Sequence, residues 1–424
     1  MRSPYILFGS LACALLGGTA QAAEATPGAV VKTYADIAAA VYGDALTTGE
    51  ALQASVASFL KAPSEAGLNA ARDAWRAARV VYPQTEAYRF GNPLVDEWEG
   101  RVNSWPLDEG LIDYVDAAAY GGESPENAFY AANVIANPKI KVGTRTVDAT
   151  RIDKGLLEKL QEIDQIEANV SRGYHAVEFM LWGQDLNGTG PGAGERPWTD
   201  YSLDSCTNGH CDRRRDYLKA ATDLLVADLR EMADDWTEGG AARKDLVAGG
   251  PAHGLSAILT GLGSLSYGEL AGERMQLGLL LNDPEEEQDC FSDNTYNSHY
   301  YDQVGMVNVA RGRYERVDGG TVEGPSVLDL LRAKDPKVAT ALDDALKATS
   351  GAMTALKARG DSGEAYDQMI GPDNPEGNAA VQAVIDRLKT QAQAVEKAVA
   401  ALDLGPVAVE GSDSLDNPDA VFFN

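Results

Sequence analysis

The chain of 424 residues has only four histidines and four cysteines, and it lacks any excess of base: 36 lysines and arginines stand against 64 acids, a net charge of −28. Nucleic acid demands a basic face, so this balance excludes it as a partner and disfavours anionic membrane surfaces. So few cysteines exclude a disulfide scaffold. Beyond residue 22 no apolar run approaches the ~20 residues that span a bilayer, so no transmembrane span is expected in the mature chain. Alternating β-branched runs are few and short, which leaves an all-α fold. The His-Glu-x-x-His helix of many zinc peptidases is missing too.

What is present begins with an export signal. Arg2 opens a short basic end, residues 5–16 form the apolar core, and Ala20-Gln21-Ala22 resembles a cleavage site, so residues 1–22 read as a signal peptide and the protein as periplasmic or outer-membrane-associated. Lipidation of Cys13 is disfavoured, because Ser10 stands where a lipoprotein usually carries Leu. Of the remaining cysteines, Cys206 and Cys211 bracket a short loop that can close as a disulfide in an oxidising compartment; a zinc site of Cys206, His210 and Cys211 is the alternative. Cys290 is left over.

Hydrophobic residues make up 44% of the chain, enough for one large or two medium cores. Amphipathic helices are expected over about 29–60, from 64 to a break at Pro83, and over about 154–182, 213–236, 256–281, 335–359 and 378–401. Residues 91–125 and 283–302 read as loops rich in acids and turn formers. The expected architecture is two-lobed, with an N-terminal helical lobe at 23–195, a C-terminal helical bundle at 196–404 and a flexible tail at 405–424. Glycines at 261, 263, 268, 272 and 278 within one helix point to close packing or a nearby ligand, since each costs up to about 1 kcal/mol there.

One histidine stands out. His175 precedes Glu178 by three residues on a helix, where i and i+3 share a face and can offer a nitrogen and a carboxylate to one ion. Spacing alone is weak, since His299 and Asp302 repeat it. A faint echo of 173–180 at 266–275 raises the possibility of an internal duplication that brings both segments to one interface.

The stretch GYHAVEFMLWGQDLNGTGPGAGERP at 173–197 resembles the G-x-H-x-x-E motif of the imelysin-like family. WRAARVVYPQTEAYRF at 75–90, NSWPLDEGLIDY at 103–114, CTNGHCDRRRDY at 206–217, LTGLGSLSYGELAGERM at 259–275 and PEEEQDCFSDNTYNSHYY at 284–301 extend it over nearly the whole mature chain. The resemblance implies an all-helical, two-lobed protein of iron uptake, with a metal site near the junction of the lobes and His175 and Glu178 as ligands. It also carries the name of an insulin-cleaving metallopeptidase.

Around that pair the candidates are carboxylates and their partners. Glu86, just past Pro83, is the expected third metal ligand, with pairing to Arg89 as its competing role. Asp96, Asp108 and the adjoining Trp105 belong to the loop that can reach the site, either acid also being able to serve as a cap or turn residue. Glu269 and Glu273 stack at i+4 and need a cation or Arg274 between them; Ser266 either faces the site or bonds to its own preceding turn. Asp293 and Asn294 offer a calcium or anion contact or an ordinary Asx turn. Histidine with oxygen ligands suits iron and zinc alike. Three functions follow: capture of a metal ion or iron-bearing ligand with an envelope uptake partner, zinc-dependent peptide cleavage with Glu178 as ligand or base, or a metal-free module for a ligand or partner.

Overall fold

The computed structural model describes residues 25–422; the expected signal peptide lies outside them. Regular structure among the described residues is mostly helical, with two small antiparallel hairpins that pair Ile140 with Val147 and Tyr314 with Val322. No helix among the described residues is long and apolar enough to cross a membrane.

The first helix, Pro27–Lys61, starts where Thr26 accepts from the amide of Ala29 and Pro27 supplies a preset φ at the first turn. It packs against Glu65–Val81, Cys211–Asp235 and Gly250–Ser264. Tyr34, Tyr42, Tyr88, Trp98 and Trp236 meet ring to ring in the centre of this group. Pro83 acts as expected: the α-helix ends at Val81 and a tighter turn, Tyr82–Tyr88, carries Gln84, Thr85 and Glu86 into the interior. Across that turn lies Thr295–Arg311, so close that a Cβ on Gly305 would come within 2.5 Å of the Gln84 carbonyl oxygen. Pro336–Asp361 and Pro375–Ala401 pair alongside, and one continuous set of buried apolar side chains runs from Val30 to Leu402.

Three segments differ from the sequence expectation. The helix expected over 154–182 is two helices, Lys154–Leu160 and Gly173–Trp182, separated by residues with left-handed backbone at Glu162, Asp164 and Gln165. Gly173 opens the second with φ +86°, and a Cβ there would stand 2.6 Å from the Val102 carbonyl oxygen, so both conformation and space require glycine. The loop expected over 283–302 is shorter, because Thr295–Arg311 is helical and buries Ser298, His299 and Asp302. The segment after Gly405, expected to be a flexible tail, lies along the glycine-rich helix: Tyr267 donates to Asp416 at 2.7 Å and Ser414 donates to the Gly272 carbonyl at 3.0 Å. Glycine there serves close packing, since a Cβ on Gly268 would come within 2.6 Å of the Glu410 carbonyl oxygen.

Candidate functional site

Two groups of carboxylates and histidine among the described residues bring ligand atoms within 4.8 Å of one another, and both draw on the loop at residues 287–294. The first joins His175 and Glu178, one turn apart on Gly173–Trp182, to Asp289. All three are buried. His175 Nδ1 lies 3.1 Å from Glu178 Oε2 and 3.8 Å from Asp289 Oδ1.

The hydrogen bonds around this group locate its protons. Arg79 Nη1 donates to Asn103 Oδ1 at 2.6 Å, and Asn103 Nδ2 faces Glu86 Oε1 at 3.4 Å, which fixes the orientation of the amide. His175 Nε2 sits 3.2 Å from that same Oδ1, an acceptor only, so Nε2 carries the hydrogen and Nδ1 presents its lone pair. Glu178 Oε1 accepts from both the amide (3.0 Å) and the hydroxyl (2.7 Å) of Ser292. Its Oε2, facing a lone pair, must hold a proton when no cation is present. The electrostatics agree. Burial, then the nearby Arg79, lowers the His175 pKa to about 3, and burial, then Asp289, drives Glu178 well above the usual carboxylate range. Asp289 stays ionised: burial opposes its charge, but Arg79 at 2.8 Å, with Ser298 and Asn294 donating, outweighs it and holds its pKa low.

This donor set fits a metal. One imidazole nitrogen and two carboxylates converge, and the far ring nitrogen is oriented by Asn103.

The other expected residues lie in a network that begins at Asn103. Glu86 takes Asn103 on one oxygen and Arg274 on the other, at 2.7 Å. Arg274 also donates to Glu269 at 2.7 Å and to Asp302 at 3.3 Å, and Arg89 spans Asp96 at 2.7 Å and Glu269 at 3.3 Å. Arg274 thus faces the histidine helix across Glu86 and Asn103. Asp96 and Glu273 are exposed. Ser266 donates to the Leu262 carbonyl at 2.6 Å, its own preceding turn, and accepts from Gln391 at 3.0 Å. Trp105 and Asp108 line a separate cleft of about 630 Å³, and Asn127 donates to Asp108. Cys206 and Cys211 form a disulfide with their Cα atoms 5.9 Å apart, which removes both thiolates from any zinc site.

Arg79, Asn103, Asp289 and Ser292 were not singled out from the sequence. Each lies within a stretch that resembles the family, but nothing local separates Asp289 from 63 other acids.

The second group joins Glu287 and Asp293 to Asp367 on Tyr366–Ile370. Glu287 and Asp367 are buried, and Asp293 is half-buried with a left-handed backbone, φ 55°. Glu287 Oε1, Asp293 Oδ1 and both Asp367 oxygens have no hydrogen-bond partner. Burial, then the mutual repulsion of these acids, raises Glu287 far above its usual range and Asp293 to about 7; burial likewise raises Asp367 to about 7.

Comparison with known proteins sets this geometry in a family. The family model for imelysin matches residues 38–395. The chain belongs to the imelysin family. Among curated proteins it is similar to iron-regulated protein A of Synechococcus elongatus, 24% identical over 337 residues that make up 77% of this chain and 72% of that one. Among solved structures it resembles a chain named as an iron-regulated protein A precursor from Parabacteroides distasonis, with TM-score 0.63, 18% identity and coverage of 91% of this chain and 97% of the other. An imelysin-like protein from Psychrobacter arcticum gives TM-score 0.54, 16% identity and coverage of 90% and 98%. These two likenesses show a shared fold.

Proposed function

We propose that this imelysin-family protein is exported and captures an iron ion through His175 Nδ1, Glu178 and Asp289, as a binding component of iron uptake. The observation that carries the proposal is the convergence of these three donors within 4.8 Å, with His175 Nδ1 3.1 Å from Glu178 and 3.8 Å from Asp289. The relatives named as iron-regulated protein A, one of them a precursor, support iron as cargo and export as the route. A metal bound here would take the place of the Glu178 proton, so capture would depend on pH.

The chain's own residues account for a binding role. Arg79 holds Asp289 ionised, Asn103 holds the His175 tautomer, and Ser292 fixes the Glu178 carboxylate through two donors. Glu86 stands one link outside, its oxygens engaged by Asn103 and Arg274. Peptidase chemistry would need a further base and room for a peptide beside the metal. Glu86 and Glu269 are engaged by arginine, and the three donors themselves are closed off from solvent.

The test is titration of chelator-stripped protein with ferrous, ferric and zinc salts, on wild type and His175→Ala. Tight iron binding that His175→Ala loses supports the proposal. Equal binding by both sinks the site, and zinc binding without iron binding sinks the cargo. Chelator-sensitive cleavage of a protein substrate that disappears in Glu178→Ala would establish the peptidase instead.

A further inference from the structure

The second carboxylate group has no role in the iron proposal, and its own chemistry is unusual. A buried carboxylate without donors pays its full desolvation cost, and native proteins leave few such groups. Here both oxygens of Asp367, fully buried, and Oε1 of Glu287, 1% exposed, lack partners and face a third carboxylate. The Tyr366 hydroxyl, next along the chain, is buried and unpartnered as well.

We propose that Glu287, Asp293 and Asp367 form a second cation site, for a hard divalent ion of the calcium class. The donors are oxygen only, which disfavours softer, nitrogen-seeking metals. Calcium binds oxygen at about 2.3–2.6 Å, so oxygens on opposite sides of the ion stand roughly 4.6–5.2 Å apart, compatible with a cluster no wider than 4.8 Å. It also tolerates irregular loop geometry and completes its shell with water, which the half-buried Asp293 can admit.

Glu287 lines a small cavity with Glu109, Asp185 and Glu285, and those three acids also line the 630 Å³ cleft beside Trp105 and Asp108. A cleft lined by one sign of charge concentrates counter-ions at its mouth. The bound ion ties the loop at 287–294 to Tyr366–Ile370, and that loop supplies Asp289 and Ser292 to the first site.

The experiment uses the chelator-stripped protein, calorimetric titration with calcium chloride and, separately, magnesium chloride, and thermal unfolding with and without calcium. Wild type is expected to bind about one calcium ion, and at roughly 100 times the Kd its Tm should rise by several degrees. Asp367→Asn and Asp293→Asn, each checked for folding by circular dichroism, should weaken calcium binding by about tenfold or more. His175→Ala should keep the full calcium response, which separates failure here from failure of the iron site. Absence of calcium binding by wild type, undiminished binding in both Asn variants, magnesium binding without calcium binding, or loss of the response in His175→Ala would each overturn the proposal.

Discussion

The two carboxylate groups fed by one loop are built on opposite principles. Around His175 every charge is answered: Arg79 neutralises Asp289, Ser292 gives two donors to Glu178, and Asn103 takes the histidine hydrogen. Around Asp367 four carboxylate oxygens have no partner. The first arrangement is preorganised and stable while empty, at the cost of a proton to be displaced. The second has no such donors, so without a cation burial and crowding push its acids toward their protonated forms. Proximity of acids alone therefore does not distinguish a site held ready from one that needs its ion to be stable; the donors around them do.

The comparison is broken most strongly at Arg79. Arg79→Met would leave Asp289 buried without its cation and should cost about 3–5 kcal/mol, read by denaturant unfolding; a much smaller loss would mean that Asp289 simply picks up a proton. Next comes Asn103→Ala, which frees the histidine tautomer and should weaken iron binding by about 10–100-fold in a metal titration while leaving the calcium response untouched.

A third expectation concerns a satisfied carboxylate away from either group. Asp113 is buried between Arg196 and Arg214, both at 2.6 Å. Burial opposes its charge, but the two guanidiniums prevail and hold its pKa below the ordinary 3.8. A lowered folded pKa contributes stability that is present above about pH 4 and lost as pH falls through the folded value. Unfolding followed at pH 5, 4 and 3 should show wild type losing stability more steeply than Asp113→Asn, and parallel curves would contradict it. The smallest effect is expected for Ser292→Ala, about 1 kcal/mol in unfolding, because the backbone amide still serves Glu178 Oε1.

Much of the fold was legible because helix signals are local. Pro83 ended its helix, the glycines expected over 256–281 signalled close packing, and residues 206 and 211 closed their short bridge. Misjudged boundaries had equally local causes that pattern does not carry: the break between Leu160 and Gly173 rests on left-handed residues at Glu162, Asp164 and Gln165, none of them glycine. The polar pattern of 295–302 read as loop because Ser298, His299 and Asp302 face a polar interior rather than water.

For the site, the sequence by itself determined the pair that a single helical turn brings together, His175 and Glu178, and the family to which the chain belongs. Only the tertiary structure decided that Asp289 completes the first group, that the proton sits on Nε2, and that Glu287, Asp293 and Asp367 meet. The reason is range. Spacing along a helix fixes neighbours three or four residues apart, whereas Ser292 reaches Glu178 across 114 residues and Arg79 reaches Asp289 across 210, contacts set by how helices pack.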